Sequence, residues 1–572
     1  MPGQRRGHRR ARLRPVRRAG ALALAVAAAT AAASLGATES EAAVGDLTLG
    51  SCVANTAVTG VCADLPGSML AFPASVAVRS DSGSAYVTAT NGDSVSHLLA
   101  PGIGDLGFSG CDSRDGSGGL CTDLTDAALQ FPTPIALSPD GSSAYVGTSG
   151  TSLAHFNLVG TGGVMMFEDC VDAVPAGDCA DIPTGVLIGS SAIAVGPDRS
   201  TVYAASGVSD SVVQFSADPS GSLAFASCAS QTGTGGLCEN VPGSTFDLAR
   251  DIAVSPDGSS VFVAAQGEST STSSLTRLKF VGDALLFGEC TSWDGSGGSC
   301  ADVPGTIMKE PRAVAVSPDG RSLYVVDGSS NALIRFAVAS NGVLTFDGCA
   351  SRTGSGGVCT TVDTLDGPLS LAVSGDGRSI YVAAFDSVVQ FGVPATGAPS
   401  FERCYSVEGS AGRCVDVVGA LLDGVTDVAV SPAGGSVYVT AVENDDVVRF
   451  VRERVPGAAP DDRTSPTLKL AGGKGPSGTG RAGRPIEVTV SCDEPCSVEA
   501  TGSAKPKGGR SGKLRGASAE LEAGASAELQ LRPKGRLKRK LKKAGKGRAA
   551  LVAVATDGAG NTAQATASVR LK

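Results

Sequence analysis

The chain has 572 residues, with 47 Lys+Arg against 56 Asp+Glu, 16 cysteines, 77 glycines and 3 histidines. It is too long for one ordinary compact domain, and its cysteine content does not suit a protein held in a reducing cytosol. Residues 1–42 carry 8 basic and 2 acidic groups and residues 466–572 carry 21 and 8, which leaves a middle of 18 basic and 46 acidic groups, net −28; such a body repels phosphates at long range and excludes nucleic acid as its partner.

Eight arginines and no acid occupy the first 20 residues, followed by the uncharged run Ala19–Ala37 and the small-residue sequence Ser40-Glu41-Ala42. This order predicts a secretory signal over 1–42, cut after Ala42. Arg17-Arg18 would allow twin-arginine export, although the Ala-Gly-Ala-Leu that follows fits that signal poorly. The run is also just long enough to be a retained membrane anchor.

Fourteen cysteines then fall into seven pairs: Cys52 with Cys62, Cys111 with Cys121, Cys170 with Cys179, Cys228 with Cys238, Cys290 with Cys300, Cys349 with Cys359 and Cys404 with Cys414. First cysteines are spaced by 59, 59, 58, 62, 59 and 55 residues, which is an internal repeat. The fifth unit shows its content. Leu285-Leu286-Phe287 runs into Cys290; after Cys300 come Ala313-Val314-Ala315-Val316, the turn Ser317-Pro318-Asp319-Gly320, Leu323-Tyr324-Val325-Val326 and a third strand Ala332–Phe336. Two β-branched runs joined by Pro-Asp-Gly predict a hairpin, because Pro sets φ and Gly accepts a positive φ. Four short antiparallel strands per unit, repeated seven times, predict an all-β seven-bladed β-propeller over 44–454. The phase of the repeat predicts how it closes. Leu47-Thr48-Leu49 is an outer-type strand with no blade of its own, and the last repeat stops after its third strand, Asp446–Phe450, so the first segment should complete the last blade and leave no open edge.

Segments such as Val314-Ala315-Val316-Ser317-Pro318-Asp319-Gly320 with Leu323-Tyr324-Val325 resemble the Tyr-Val-Thr-Asn type propellers, a group that includes the lactonase-like (6-phosphogluconolactonase-like) propellers. The resemblance spans roughly Leu47 to Val451; it implies the fold and, more loosely, hydrolysis of a small lactone.

Each cysteine pair brackets eight or nine mostly small residues, so in an oxidising compartment each loop should close as a disulfide, worth about 2–3 kcal/mol in the chain-entropy model. Zinc is the rival, against which stand the spacing and the scarcity of His. Acids in Asp112–Asp115 and at Asp294 invite calcium, but the equivalent loops at Ala350–Gly354 and Ala229–Gly233 have none, so no shared metal site is expected, nor any cofactor. Connections from outer strand to next inner strand emerge on one face of a propeller, which makes the loop-rich face the expected working face.

After a Pro-, Ala- and Asp-containing linker at 455–465, residues 466–572 alternate as strands, notably Pro485–Val490 and Ala549–Ala555, and resemble the Ig-like β-sandwich modules appended to bacterial exported proteins. Cys492 and Cys496 should pair locally. The run Arg536-Leu537-Lys538-Arg539-Lys540-Leu541-Lys542-Lys543 is either a solvated crossover of the sandwich or an attachment to anionic envelope polymer.

Two functions compete: a monomeric binding or scaffolding propeller, exported and recognising a protein or small ligand on the stapled face, and a lactonase-like hydrolase. His97 and His155 occupy a third-strand position filled elsewhere by Gln214, Arg335, Gln390 and Arg449, which suits packing between blades better than catalysis. Arg250, Asp251, Lys309, Glu310, Arg312, Asp423 and Asp427 break the repeat just ahead of or within inner strands, where side chains approach the channel, and are the candidate ligand-binding residues. Acids and a base converging in one mouth pocket would favour the enzyme; scattered rim charges would favour recognition.

Overall fold

The computed structural model describes residues 45–55, 61–453 and 468–572, apart from 66, 82, 101–104, 125–126, 161, 175–178, 244, 270, 282–283, 395–396, 473–478, 493–495, 522–524 and 558–561. The expected signal at 1–42 and the linker at 455–465 lie outside the described residues. Seven small sheets form a ring, a seven-bladed β-propeller. Blade 5 illustrates the unit: Pro311–Val316 innermost, then Ser322–Asp327, Ala332–Val338 and Leu344–Ser351, all antiparallel. Each inner strand touches those of both neighbours, and Pro73–Val78 of blade 1 meets Val425–Val430 of blade 7, which closes the circle.

To these four strands every blade adds a fifth of two residues, such as Thr360–Thr361, which pairs parallel with the outer strand (Ala350 opposite Thr360). It follows the second cysteine of each pair directly. All seven expected disulfides are formed. Cys52 is bonded to Cys62, Cys111 to Cys121, Cys170 to Cys179 and Cys228 to Cys238; Cys290 is bonded to Cys300, Cys349 to Cys359 and Cys404 to Cys414. Their Cα atoms lie 4.6–4.7 Å apart, about the distance between neighbouring strands. The disulfide thus holds the returning chain in register beside the outer strand. Seven such bonds fit an oxidising environment.

The second strands are buried along their whole length, as in Ser322–Asp327 and Ser379–Ala384, except at half-buried Thr201 of blade 3, because each is covered on both faces by neighbouring sheets. Apolar clusters accordingly mix blades: Phe262 and Ala264 of blade 4 pack with Val314, Leu323 and Val325 of blade 5. Where the two-strand turn reads Ser-x-Asp-Gly, the Ser hydroxyl donates to the Asp carboxylate and accepts the N–H five residues on, as in Ser317 with Asp319 (2.6 Å) and Ser322 (2.9 Å).

The N-terminal strand Leu47–Ala54 pairs antiparallel with Asp446–Arg452, Leu47 opposite Arg452 and Ala54 opposite Asp446, and completes blade 7. A tyrosine on the second strand explains how the join copies the other blades. Tyr145 and Tyr324 donate to the carbonyls of Gly221 and Gly397, each in the turn before the next blade's outer strand (both 3.0 Å). In the last interface Tyr381 donates to Gly45, the residue ahead of the N-terminal strand. Gly45 has φ +96°, close to the +94° of Gly221, and a Cβ there would meet Ser379 Oγ at 2.6 Å. Only glycine fits the turn whose covalent link is missing.

The region 468–572 has its own apolar core, including Ile486, Val488, Val490, Leu531, Leu551 and Val569, beneath strands ordered around Cys496–Pro506 and Gly547–Asp557. The basic run forms an α-helix, Gly535–Ala544, that buries Leu541 and ends on Gly545 at φ +61°; it crosses between Ser526–Pro533 and Gly547–Asp557. Cys492 is disulfide-bonded; the side chain of Cys496 lies outside those described.

Candidate site at the channel mouth

The chain passes from each stapled loop through the fifth strand into the next inner strand, so inner strands begin on the loop-bearing face. The residue before the strand forms the rim. Turn carboxylates of the preceding blade fix it: Asp93 accepts the N–H of Phe131 (2.7 Å), Asp210 that of Leu248 (3.0 Å), Asp386 that of Gly424 (3.1 Å) and Asp445 that of Phe72 (2.7 Å). Phe72, Phe131 and Leu248 are thereby held at φ of 50–59°, a region that disfavours side chains. The rim is unevenly dressed. Phe72 and Phe131, which precede the inner strands of blades 1 and 2, stand exposed, as do Val208 and Phe385 in the turns after the second strands of blades 3 and 6, whereas the residue before the inner strand of blade 5 is Glu310.

Just inside lies a cavity of about 340 Å³ walled by residues of all seven inner strands, among them Ser75, Thr133, Ser191, Arg250, Asp251, Arg312, Ser370, Thr426 and Asp427. Four candidate residues therefore meet here: Arg250, Asp251, Arg312 and Asp427. Glu310 joins them through Arg312, whose guanidinium donates to Glu310 Oε1 at 2.7 Å and, from Nε, at 3.2 Å. Gln266, which the sequence reading missed, closes the chain: its amide donates to Glu310 (2.6 Å) and its carbonyl accepts from Arg250 Nε (2.5 Å). Gln266 follows Ser260–Ala265 directly, at a position that is Thr90, Ser149, Gly207, Gly328, Phe385 and Val442 in the other blades, and its being the one amide there was its available signal. Gly328 matters for the same reason, since a Cβ there would collide with the Arg312 guanidinium.

Two candidates lie elsewhere. Lys309 sits with Nζ 5.3 Å from the centre of the Trp293 ring. Asp423 faces Asp386, whose carboxyl is raised by burial and by that neighbouring charge.

Asp251 accepts the N–H of Val314 in blade 5 (2.7 Å) and of Ile252 (2.8 Å); Asp427 accepts from Ser370, Ser75, Val76 and Val428, at 2.6–2.9 Å, and so ties blades 6, 7 and 1. Burial pushes Asp251 up to about 7 against those two bonds, with a further contribution from Asp427, and burial also raises Asp427. Burial, then the positive charge of Arg312, lowers Arg250. His97 and His155 lie between blades, stacked on Tyr86 and Tyr145 at 4.9 and 5.1 Å between ring centres. Burial and then Arg79 hold His97 down at about 4. A larger groove of about 750 Å³ opens on the opposite face between blades 5 and 6, but its Tyr324 and Asp376 are committed to Gly397 and to Ser374 and Arg452, bonds that hold the ring together.

No family model matches the chain and no curated protein matches it. Among solved structures it is similar to a Bacteroides uniformis protein provisionally named a 6-phosphogluconolactonase (12% identity, 79% of this chain and 98% of that one, TM-score 0.41). It is also similar to the periplasmic gluconolactonase PpgL of Pseudomonas aeruginosa (16%, 70% and 88%, 0.39) and to the hydrazine synthase of Kuenenia stuttgartiensis (14%, 70% and 99%, 0.42). The fold rests on the strand pairing described above, and these likenesses assign no chemistry to the mouth.

Proposed function

We propose that this chain is an exported recognition propeller, monomeric, that presents its stapled face and channel mouth to a ligand and performs no chemistry on it. The observation that carries this reading is the state of the mouth carboxylates. Asp427 accepts four hydrogen bonds, Asp251 two from backbone N–H groups, and Glu310 is occupied by Arg312 and Gln266. Asp427, with its lone pairs taken up by donors from three blades, is a strut, and Asp251 and Glu310 spend part of theirs on joining blades 4 and 5; a general base needs a lone pair free to reach the substrate. The stapled loops add a rigid surface, because a short disulfide-closed loop loses little further entropy on binding. The basic Ig-like module then holds the protein to anionic polymer of the envelope, with the exposed lysines and arginines of Gly535–Ala544 as the contact.

One observation favours hydrolysis of a small lactone instead: Asp251, raised to about 7, shares a cavity with two arginines that could stabilise an oxyanion. Turnover of a panel of small lactones by the purified mature chain separates the readings. Recognition expects no turnover; turnover that disappears in Arg312→Ala overturns it.

A further inference from the structure

The walls of the channel cavity differ in what they offer a ligand. Five hydroxyls line it, and each gives its hydrogen to the protein: Ser75 and Ser370 to Asp427 (2.9 and 2.6 Å), Thr133 to the Ser190 carbonyl (2.9 Å), Ser191 to that of Ala249 (2.6 Å) and Thr426 to that of Pro73 (2.7 Å). Toward the channel these groups present lone pairs only. The side-chain donors of the wall are concentrated in one sector, on Arg250 and Arg312. A guanidinium has five N–H groups. Arg250 spends one on Gln266 and Arg312 two on Glu310, so most of the fork of each remains. The two cations share Glu310 beside a cavity of about 340 Å³, and the two carboxyls that also line it, Asp251 and Asp427, are both shifted by burial toward the uncharged form.

We infer that the channel mouth binds a small organic monocarboxylate whose other polar groups are hydrogen-bond donors, with its carboxylate on Arg250 and Arg312 and its hydroxyl or ammonium groups on the acceptor-lined remainder of the ring. A bidentate fork suits a carboxylate, and a wall of lone pairs selects against ligands that carry only acceptors. The inference deepens the recognition reading and rests on it.

The test is calorimetric titration of the oxidised mature chain at low salt with three probe pairs: a hydroxy monocarboxylate and its amide, an α-amino acid and its amide, and acetate with inorganic phosphate. Binding of the hydroxy acid or the amino acid, with the corresponding amide weaker by about ten- to a hundredfold, is the expected result; which of the two binds identifies the donor as hydroxyl or ammonium. Arg250→Gln and Arg312→Gln should each weaken binding by a similar factor, and Gly328→Ala should do so without removing a charge, by displacing Arg312. Lys309→Gln, over Trp293, serves as the control. Equal binding of acid and amide, phosphate binding as well as the acids, affinity unmoved in both arginine variants, or no heat from any probe overturns the proposal. Lactone turnover would instead overturn the recognition reading, so the two failures are told apart.

Discussion

Asp446 is the least comfortable residue of the ring. Its exposure is 0% and neither carboxylate oxygen has a hydrogen-bond partner among the described residues; burial, with a smaller push from Asp445, raises it to about 7. It stands at the first position of the third strand, where five other blades have serine and blade 5 has Ala332: Ser94 donates to the Met69 carbonyl (2.8 Å), Ser211 to Val186 (2.6 Å) and Ser274 to Thr245 (2.7 Å). Each acceptor lies four residues ahead of its inner strand, a place held by Leu421 in blade 7. Asp446→Ser should therefore restore a bond and remove a trapped charge. The raise from 3.8 to about 7 corresponds to at most ~4 kcal/mol at 1.36 kcal/mol per pH unit. The sign follows from the proton count. Below about pH 4 the carboxyl is protonated folded and unfolded and imposes no charge penalty. Between about 4 and 7 only the unfolded chain has lost the proton, so the wild type loses stability as pH rises, and above 7 the penalty is complete. Urea unfolding of both proteins, disulfides intact, should show the serine variant more stable by about 2–4 kcal/mol at pH 8 and by about 1 kcal/mol, the new bond alone, at pH 4. A difference independent of pH, or a serine variant less stable at pH 8, would refute the reasoning.

Other consequences can be measured in the same way. Tyr381→Phe removes the donor to Gly45 and the acceptor for Arg452 (2.9 Å), and should cost about 1–3 kcal/mol in urea unfolding; Gly45→Ala should exceed it, because it adds a collision to a positive φ. Asp427→Asn keeps one acceptor but turns an amide N–H₂ toward Ser75 or Ser370, and should lower the thermal midpoint, whereas Asp423→Asn, outside the channel wall, should not. Replacing Cys290 and Cys300 by serine should cost about 2–3 kcal/mol and expose the loop to limited proteolysis while leaving the other six stapled.

The blades could be read from the chain because they depend on signals that repeat: apolar runs, Ser-Pro-Asp-Gly turns and paired cysteines. Closure through Leu47–Ala54 was readable from phase alone, since one outer strand had no blade and one blade had no outer strand. The fifth strands were not, because two residues such as Thr122–Asp123 show no alternation and pair only because a disulfide sets them beside the outer strand. The mouth was half readable. Charges at inner-strand starts pointed to Arg250, Asp251, Arg312 and Asp427, but adjacent residues in a rim loop diverge, and sequence cannot tell that Glu310 turns to the channel while Lys309 turns to Trp293.

The irregular spacing of the repeat carries the last step. Cys228 and Cys290 are 62 residues apart where most neighbours are 58 or 59, and the additional length falls in the turn after Ser260–Ala265, which holds Gln266. That turn is anchored: Gly267 and Glu268 donate to the Asp247 carbonyl and carboxylate (2.8 and 3.0 Å), and Ser269 and Thr272 bond each other. A repeat protein gains stability from sameness, since every blade must fit its neighbours equally well, so a departure of this kind is expected where something besides stability is served. Here it falls in the one stretch of rim where the apolar or small residue is replaced by Glu310, and where Gln266 bridges Arg250 to that carboxylate. Lengthened turn, bridging amide and paired guanidiniums lie on two successive blades, and together they give an otherwise sevenfold ring a single direction from which to receive an anion.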